Sequence, residues 1–196
     1  ALEPHVKGED FIESILQVAQ YLGVRQYCQI GAMYGSGPHT RPLTATVGAS
    51  SSWIQERLGQ AGMKASSYEG PTSIMALGTQ LAKESGMEIL NILVQLPPYA
   101  RLEEDHRGQA TLLSLLDCLY EFGIDLVKIR EKGDRQYAEL GDAVESDPNA
   151  RTVVRQLEQV FDSEIDQEGH KPQKSPSLAP EIERFLQGLE EAQENT

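Results

Sequence analysis

Residues 68–99 read YEGPTSIMALGTQLAKESGMEILNILVQLPPY, and this stretch decides the fold class. Glu69-Gly70-Pro71-Thr72-Ser73 breaks the segment before it. It also offers Thr72 or Ser73 as a helix N-cap, because a short hydroxyl can accept from the unpaired amides of a first helical turn. Ile74, Leu77, Leu81 and Ala82 recur at helical spacing, and Gly86 stands where a left-handed residue ends a helix. Ile89, Leu90, Ile92, Leu93, Val94 and Leu96 then form a nearly continuous apolar run, stopped by Pro97-Pro98-Tyr99. A strand without polar alternation fits a sheet covered on both faces. A helix feeding such a strand predicts an α/β protein, a sheet between helical layers, with ligand-binding loops at the strand ends.

Outward from this unit, Glu9–Leu22 reads as a helix with Phe11, Ile12, Ile15, Leu16, Ala19 and Leu22 on one face, ended by Gly23. Val24–Ala32 (VRQYCQIGA) reads as a strand, Met33–Pro42 (MYGSGPHTRP) as a loop, and Leu43–Ala49 as a second strand. Ser50-Ser51-Ser52 is expected to cap a helix carrying Trp53, Ile54 and Leu58, and Met63–Tyr68 to form a short strand. Beyond the central unit, Arg101–Gly108 is a charged connection, and Gln109–Phe122 is a leucine-rich helix ended by Gly123. Asp125 is placed to cap a helix reaching Val144. Ser146 or Asp147, with Pro148 at the first helical position, starts another whose apolar face holds Val153, Val154, Leu157, Val160, Phe161 and Ile165. Gln167–Ala179 has linker composition. Pro180–Ala192 is amphipathic, with Ile182, Phe185, Leu186 and Leu189 as its apolar stripe. The division expected is an α/β domain over 1–145 and an acidic helical tail over 146–196, with a linker near 168–179.

Thirty acidic side chains against seventeen basic ones give a net charge of −13. Phosphates would be repelled by such a surface, so nucleic acid and anionic membrane are not expected partners. Residues 145–196 hold 12 Asp or Glu and 5 Lys or Arg, over half of the net charge. That tail reads either as a solvated helical pair or as a docking arm whose stripe (Ile182, Phe185, Leu186, Leu189) binds a partner or a sister subunit. No stretch of about 18 apolar residues occurs, so no membrane helix is expected, and the protein reads as cytoplasmic. Cys28 and Cys118, on an apolar strand and an apolar helix face, read as buried free thiols of a reducing compartment.

Three loops carry the candidate chemistry. His39, Thr40 and Arg41 sit in GSGPHTRP after a strand, where they could bind an anion or move a proton, or could fix the loop by hydrogen bonds. Glu69 and Thr72 precede a helix whose free amides suit an anion, though Glu69 could equally cap that helix. Tyr99 could line the same cleft or sit on a rigid turn. No two of His5, His39, His106 and His170 have i, i+3 or i, i+4 spacing, so no metal site is expected. No glycine-rich phosphate loop, dinucleotide fingerprint or nucleophile elbow is present, so no cofactor is expected and no catalytic set can be named.

GEDFIESILQVAQYLGV, QIGAMYG, PHTRPLTATVGAS, YEGPTSIMALGTQLAKESGM and NILVQLPPY, in this order, resemble the proteasome assembly chaperone family of the second type, in its prokaryotic, actinobacterial-like branch. DPNARTVVRQLEQVFD and APEIERFLQGL extend the resemblance into the tail. It implies a three-layer α/β/α sandwich similar to the nucleoside phosphorylase and hydrolase-like fold, with a C-terminal helical extension. It also implies a homo-oligomer and a non-enzymatic, assembly-chaperone-like or protein-interaction role, with another protein complex as partner. The resemblance carries no agreed catalytic set. Members usually begin with strands before the helix that here starts at Glu9, so the chain is expected to lack N-terminal strands or to complete its sheet with another subunit. The other reading is a binder of, or an enzyme acting on, a small nucleoside-like or amine ligand held by His39, Arg41, Glu69 and Tyr99.

Overall fold

The computed structural model describes residues 6–60 and 74–167. Among these the order is α1 (Gly8–Tyr21), β1 (Gln26–Tyr34), β2 (Ala45–Ala49), α2 (Ser52–Gln60), α3 (Ile74–Glu84), β3 (Glu88–Leu96), α4 (His106–Tyr120), α5 (Val127–Ser146) and α6 (Pro148–Gln167). The strands pair in the order β1-β3-β2, which puts the apolar run of the sequence in the centre. Glu88 N–H donates to the Arg25 carbonyl and Gly35 N–H to that of Leu96, so β1 and β3 advance together and are parallel. Gln95 N–H donates to Thr44 and Ser50 N–H to Ile89, a register running in opposite senses, so β2 is antiparallel to β3. The sheet is mixed.

Two compact units divide the chain. Of the described residues, one holds 6–31, 45–60, 74–93 and 115–123, the other 32–44, 94–114 and 124–167. The strands β1 and β3 and the helix α4 contribute to both.

In the first unit, alternate side chains of β3 feed two separate clusters. Leu90 and Ile92 pack with Val47 of β2, Ile54 and Leu58 of α2, and Leu115 and Leu119 of α4. Ile89, with Met87, packs with Ile12 and Leu16 of α1 and Ala82 of α3. Helices therefore cover both faces of the sheet, as an α/β/α sandwich requires, and no residue of β3 is exposed. Gly86 has φ 80°, a left-handed conformation that ends α3 and lets the chain turn into β3.

In the second unit, α5 and α6 pack on each other. Asp125 Oδ1 accepts from the Val127 amide at 3.0 Å, and Asp147 Oδ1 from the Asn149 amide at 2.8 Å. Both carboxylates satisfy first-turn donors, and Pro148 begins α6 as its spacing predicts. Val153, Val154, Leu157 and Phe161 of α6 are buried and Val160 is half-buried.

Several expectations shift. The first strand runs two residues later than expected, taking Met33 and Tyr34 from the loop, and α4 starts at His106. The serine run does not cap α2 by its first hydroxyl: Ser50 Oγ accepts from the Ile89 amide at 2.8 Å, tying β2's end to β3. Cys28 and Cys118 are free but exposed, not buried. Among the described strands Cys28 lies on an outer one, where alternate positions such as Ile30 also stay exposed, and such placement cannot be read from apolarity. The strand expected at Met63–Tyr68 and the Thr72 or Ser73 cap lie outside the described residues.

Ile92 is fully enclosed between β2, α2 and α4. Ile92→Ala is expected to lower stability by about 2–5 kcal/mol, read from the denaturant midpoint at unchanged slope. Both thiols should react with a colorimetric thiol reagent in the native protein at the rate of the denatured chain; strong protection of either would contradict their exposure.

Candidate functional site

The loop after β1 carries Pro38-His39-Thr40-Arg41, and the turn after β3 carries Pro97-Pro98-Tyr99. Pro38 and Pro97 are fully buried, which holds both turns rigidly. Between them Tyr99 Oη lies 2.8 Å from the His39 amide nitrogen and 2.6 Å from His39 Nδ1. The amide can only donate, so Oη accepts from it, and giving the phenol's single hydrogen to Nδ1 assigns His39 the neutral tautomer with its hydrogen on Nε2. The rings meet edge-on, with centroids 5.7 Å apart.

His39 is buried, at 6% exposure, and that burial lowers its pKa below 6.5. The Arg107 charge lowers it further while Glu158 acts the other way. Burial likewise pushes the Tyr99 hydroxyl up to about 12. Burial thus favours the neutral form of both groups of the pair.

Thr40 and Arg41 turn to α6. Arg41 holds Asp162 with two hydrogen bonds, Nε to Oδ1 at 2.9 Å and Nη2 to Oδ2 at 2.8 Å. Its Nη1 lies 3.3 Å from Glu158 Oε1, which also accepts from Thr40 Oγ1 at 2.5 Å. The paired fork raises the guanidinium pKa and lowers that of Asp162, each chiefly through their shared hydrogen bonds. These pairs are partly exposed, so their worth is modest and salt-sensitive. Two carboxylates already surround the Arg41 guanidinium.

Arg107 of α4 fastens the same loop from another side. Its Nη1 donates to the His39 carbonyl at 3.2 Å and Nη2 to Asp134 of α5 at 3.0 Å. Its guanidinium stacks 4.2 Å above the Tyr137 ring centroid. Tyr137 Oη donates to Asp105 Oδ2 at 2.7 Å, while Asp105 Oδ1 accepts from the Gly108 amide at 2.6 Å as the cap of α4. Burial, followed by the Asp105 hydrogen bond, raises the Tyr137 pKa. The close stacking needs Gly133: a Cβ there would stand 2.8 Å from the Arg107 backbone nitrogen.

His39, Thr40, Arg41 and Tyr99 thus come together in one polar network of the second unit. Glu69, Thr72, Ile182, Phe185, Leu186 and Leu189 lie outside the described residues. Asp105, Arg107, Tyr137, Glu158 and Asp162 complete the network but have no motif in the sequence; the Asp-x-x-Gly start of α4 and the glycine four residues before Tyr137 were the only local signals. No group of three metal-ligating side chains occurs among the described residues. What the arrangement does chemically is lock a loop by charge, tautomer and stacking.

The sequence matches the PAC2 family over residues 1–144. The chain belongs to the PAC2 family. Its backbone resembles that of a Mycobacterium tuberculosis protein of unknown function, 26% identical with a TM-score of 0.73 over 86% of this chain and 56% of that one. A second Mycobacterium tuberculosis structure, described as a proteasome-assembly chaperone homologue, is 22% identical with a TM-score of 0.65, covering 78% and 64%. The Pyrococcus furiosus protein PbaB, described as an archaeal proteasome activator, is 14% identical with a TM-score of 0.57, covering 71% and 60%. This PAC2 chain therefore spans 56–64% of the length of these three structures. No curated protein sequence matches it. No described helix is long and apolar enough to cross a membrane.

Two outcomes follow from the His39–Tyr99 pair in this PAC2 fold. Tyr99→Phe removes a donor and an acceptor from buried partners and is expected to cost about 1–3 kcal/mol in denaturant unfolding. Because the folded state lowers the imidazole pKa, His39 contributes stability that is full above 6.5 and is lost as pH falls through its folded value. His39→Gln should flatten that part of the stability–pH curve, and nitrogen chemical shifts should show the hydrogen on Nε2 in the wild type.

Proposed function

We propose that this chain is a non-enzymatic, assembly-chaperone-like interaction protein that works in the cytoplasm as a homo-oligomer and binds subunits of a larger protein complex, foremost a proteasome. PAC2 membership supports this reading, as do fold relatives described as a proteasome-assembly chaperone homologue and a proteasome activator. The observation that carries it is the state of the candidate site. The Arg41 charge is held between Glu158 and Asp162, and the His39 ring is buried against Tyr99. A guanidinium clasped by two carboxylates attracts no further anion, and an imidazole whose Nδ1 accepts from Tyr99 and whose Nε2 carries the hydrogen has no free lone pair to take a proton. The same groups serve well to hold the loop, the turn after β3 and α6 in a fixed shape for a partner.

The apolar stripe Ile182, Phe185, Leu186 and Leu189 is the contact this reading assigns to the partner, and the acidic tail around it keeps the chain soluble when unbound. The full-length protein mixed with host proteasome subunits should give a stoichiometric complex in native mass spectrometry. Phe185→Asp with Leu189→Asp should weaken it about tenfold or more, the ~1.4 kcal/mol that one lost apolar anchor exceeds, with an unchanged melting curve. Absence of any complex would remove the assembly reading. If nucleosides or amines instead raise the melting temperature, and Glu69→Ala abolishes that rise, the small-ligand reading takes its place.

A further inference from the structure

The helix α5 carries its charges against the direction that stabilises a helix. Val127–Arg135 holds four basic side chains and two acidic ones, whereas Gln136–Ser146 holds three acidic side chains and no basic one. The first turn has no acidic residue and the last turn no basic residue. The helix dipole favours the opposite placement at both ends. A surface tuned only for stability or solubility would not be arranged this way.

The charges are also sorted by face. At 3.6 residues per turn, Lys128, Lys132, Arg135, Glu139 and Asp142 fall in a stripe roughly 80° wide. That stripe lies opposite the buried side of the helix, which holds Gly133, Tyr137 and Val144. All five residues are exposed. Among the described residues, no ion pair within 4 Å engages any of them, although Arg135 and Glu139 are four apart. The neighbouring cation Arg107 is paired with Asp134, and Arg130 bonds Ser114.

The order of signs along the stripe is self-complementary. Reversing the helix about Tyr137 brings Arg135 opposite Glu139 and Lys132 opposite Asp142. A two-fold axis makes each pair twice, so two copies of one helix laid antiparallel present four opposite-charge pairs and no like-charge pair. Parallel alignment in register would set like charge against like. A face that matches its own reverse is what an isologous contact between identical subunits requires. We infer that the outer face of α5 is a contact between two copies of this chain, which meet antiparallel about Tyr137 with Lys132 and Arg135 of each facing Asp142 and Glu139 of the other. The stripe has no apolar centre, so the contact is polar and salt-sensitive, and it sets orientation and register more than strength. This deepens the homo-oligomer named above by giving it a surface, and it does not depend on the complex the chain serves.

The test uses full-length protein and two charge variants, K132E/R135E and E139K/D142K. Sedimentation velocity across a concentration series gives the dissociation constant of each alone and of the equimolar mixture, at about 0.05 M and 0.5 M salt. Wild type should self-associate and weaken at the higher salt. Each variant alone should associate at least tenfold more weakly, since its stripe carries one sign. The mixture should recover a heterodimer at least as tight as the wild type, because every facing pair is again opposite in sign. Recovery cannot be explained by misfolding of either variant. Wild type that stays monomeric would overturn both the oligomer and this face. Wild type that associates while both variants match it, or a mixture that fails to pair, would overturn the α5 face and leave the oligomer standing.

Discussion

The contact of Tyr99 with His39 is the constraint on which the second unit depends. One phenol oxygen satisfies a backbone amide and an imidazole nitrogen of the same residue, at 2.8 and 2.6 Å. This fixes both the backbone and the side chain of His39, and with them the direction in which Thr40 and Arg41 leave the loop. Were the imidazole to rotate or ionise, the fork of Arg41 could not stay on Asp162 without rebuilding the turn. Arg107, stacked on Tyr137 and bonded to the His39 carbonyl, resists the same movement. A loop rich in glycine and proline, which could sample many conformations, is thereby reduced to one.

In the first unit the organising constraint is apolar. The central strand β3 sends Leu90 and Ile92 to one cluster and Ile89 to another, so helices must cover both of its faces. The strand can serve no other position, because an edge or a solvated face would leave these side chains in water at roughly 25 cal/mol per Å². Families that keep such a centre can vary widely elsewhere. That agrees with a TM-score of 0.73 at 26% identity, and it is why a shared PAC2 fold by itself names no reaction.

The electrostatics of the molecule follow a division of labour. Buried or half-buried cations are each answered by an anion or a ring: Arg41 by Asp162 and Glu158, Arg107 by Asp134 and Tyr137. Groups answered in this way hold shape. The outer side of α5 is the contrast, with five charged side chains in one stripe and none of them ion-paired among the described residues, on a protein whose net charge is −13. Recognition belongs to charges that the fold has left uncommitted, and such charges give orientation and selectivity more than affinity.

Periodicity and punctuation in the sequence were enough for the α/β class, for β3 as a strand covered on both faces, for the glycine that ends α3 and for the aspartates that open α5 and α6. Each of these is a local matter, settled by a few neighbouring residues and the geometry of a helix turn or a pleat. His39, Thr40, Arg41 and Tyr99 were visible as loop residues of the right chemical type. Their partners Glu158 and Asp162 were not, being more than a hundred residues away on a helix that reads only as amphipathic. Likewise the exposure of Cys28 was hidden, since an apolar strand looks the same at the edge of a sheet as at its centre. Sequence by itself therefore determined the elements and the residue types at their ends. Only the tertiary structure decided which charges are spent on one another and which face outward, because pairing depends on distances through space that no local pattern encodes.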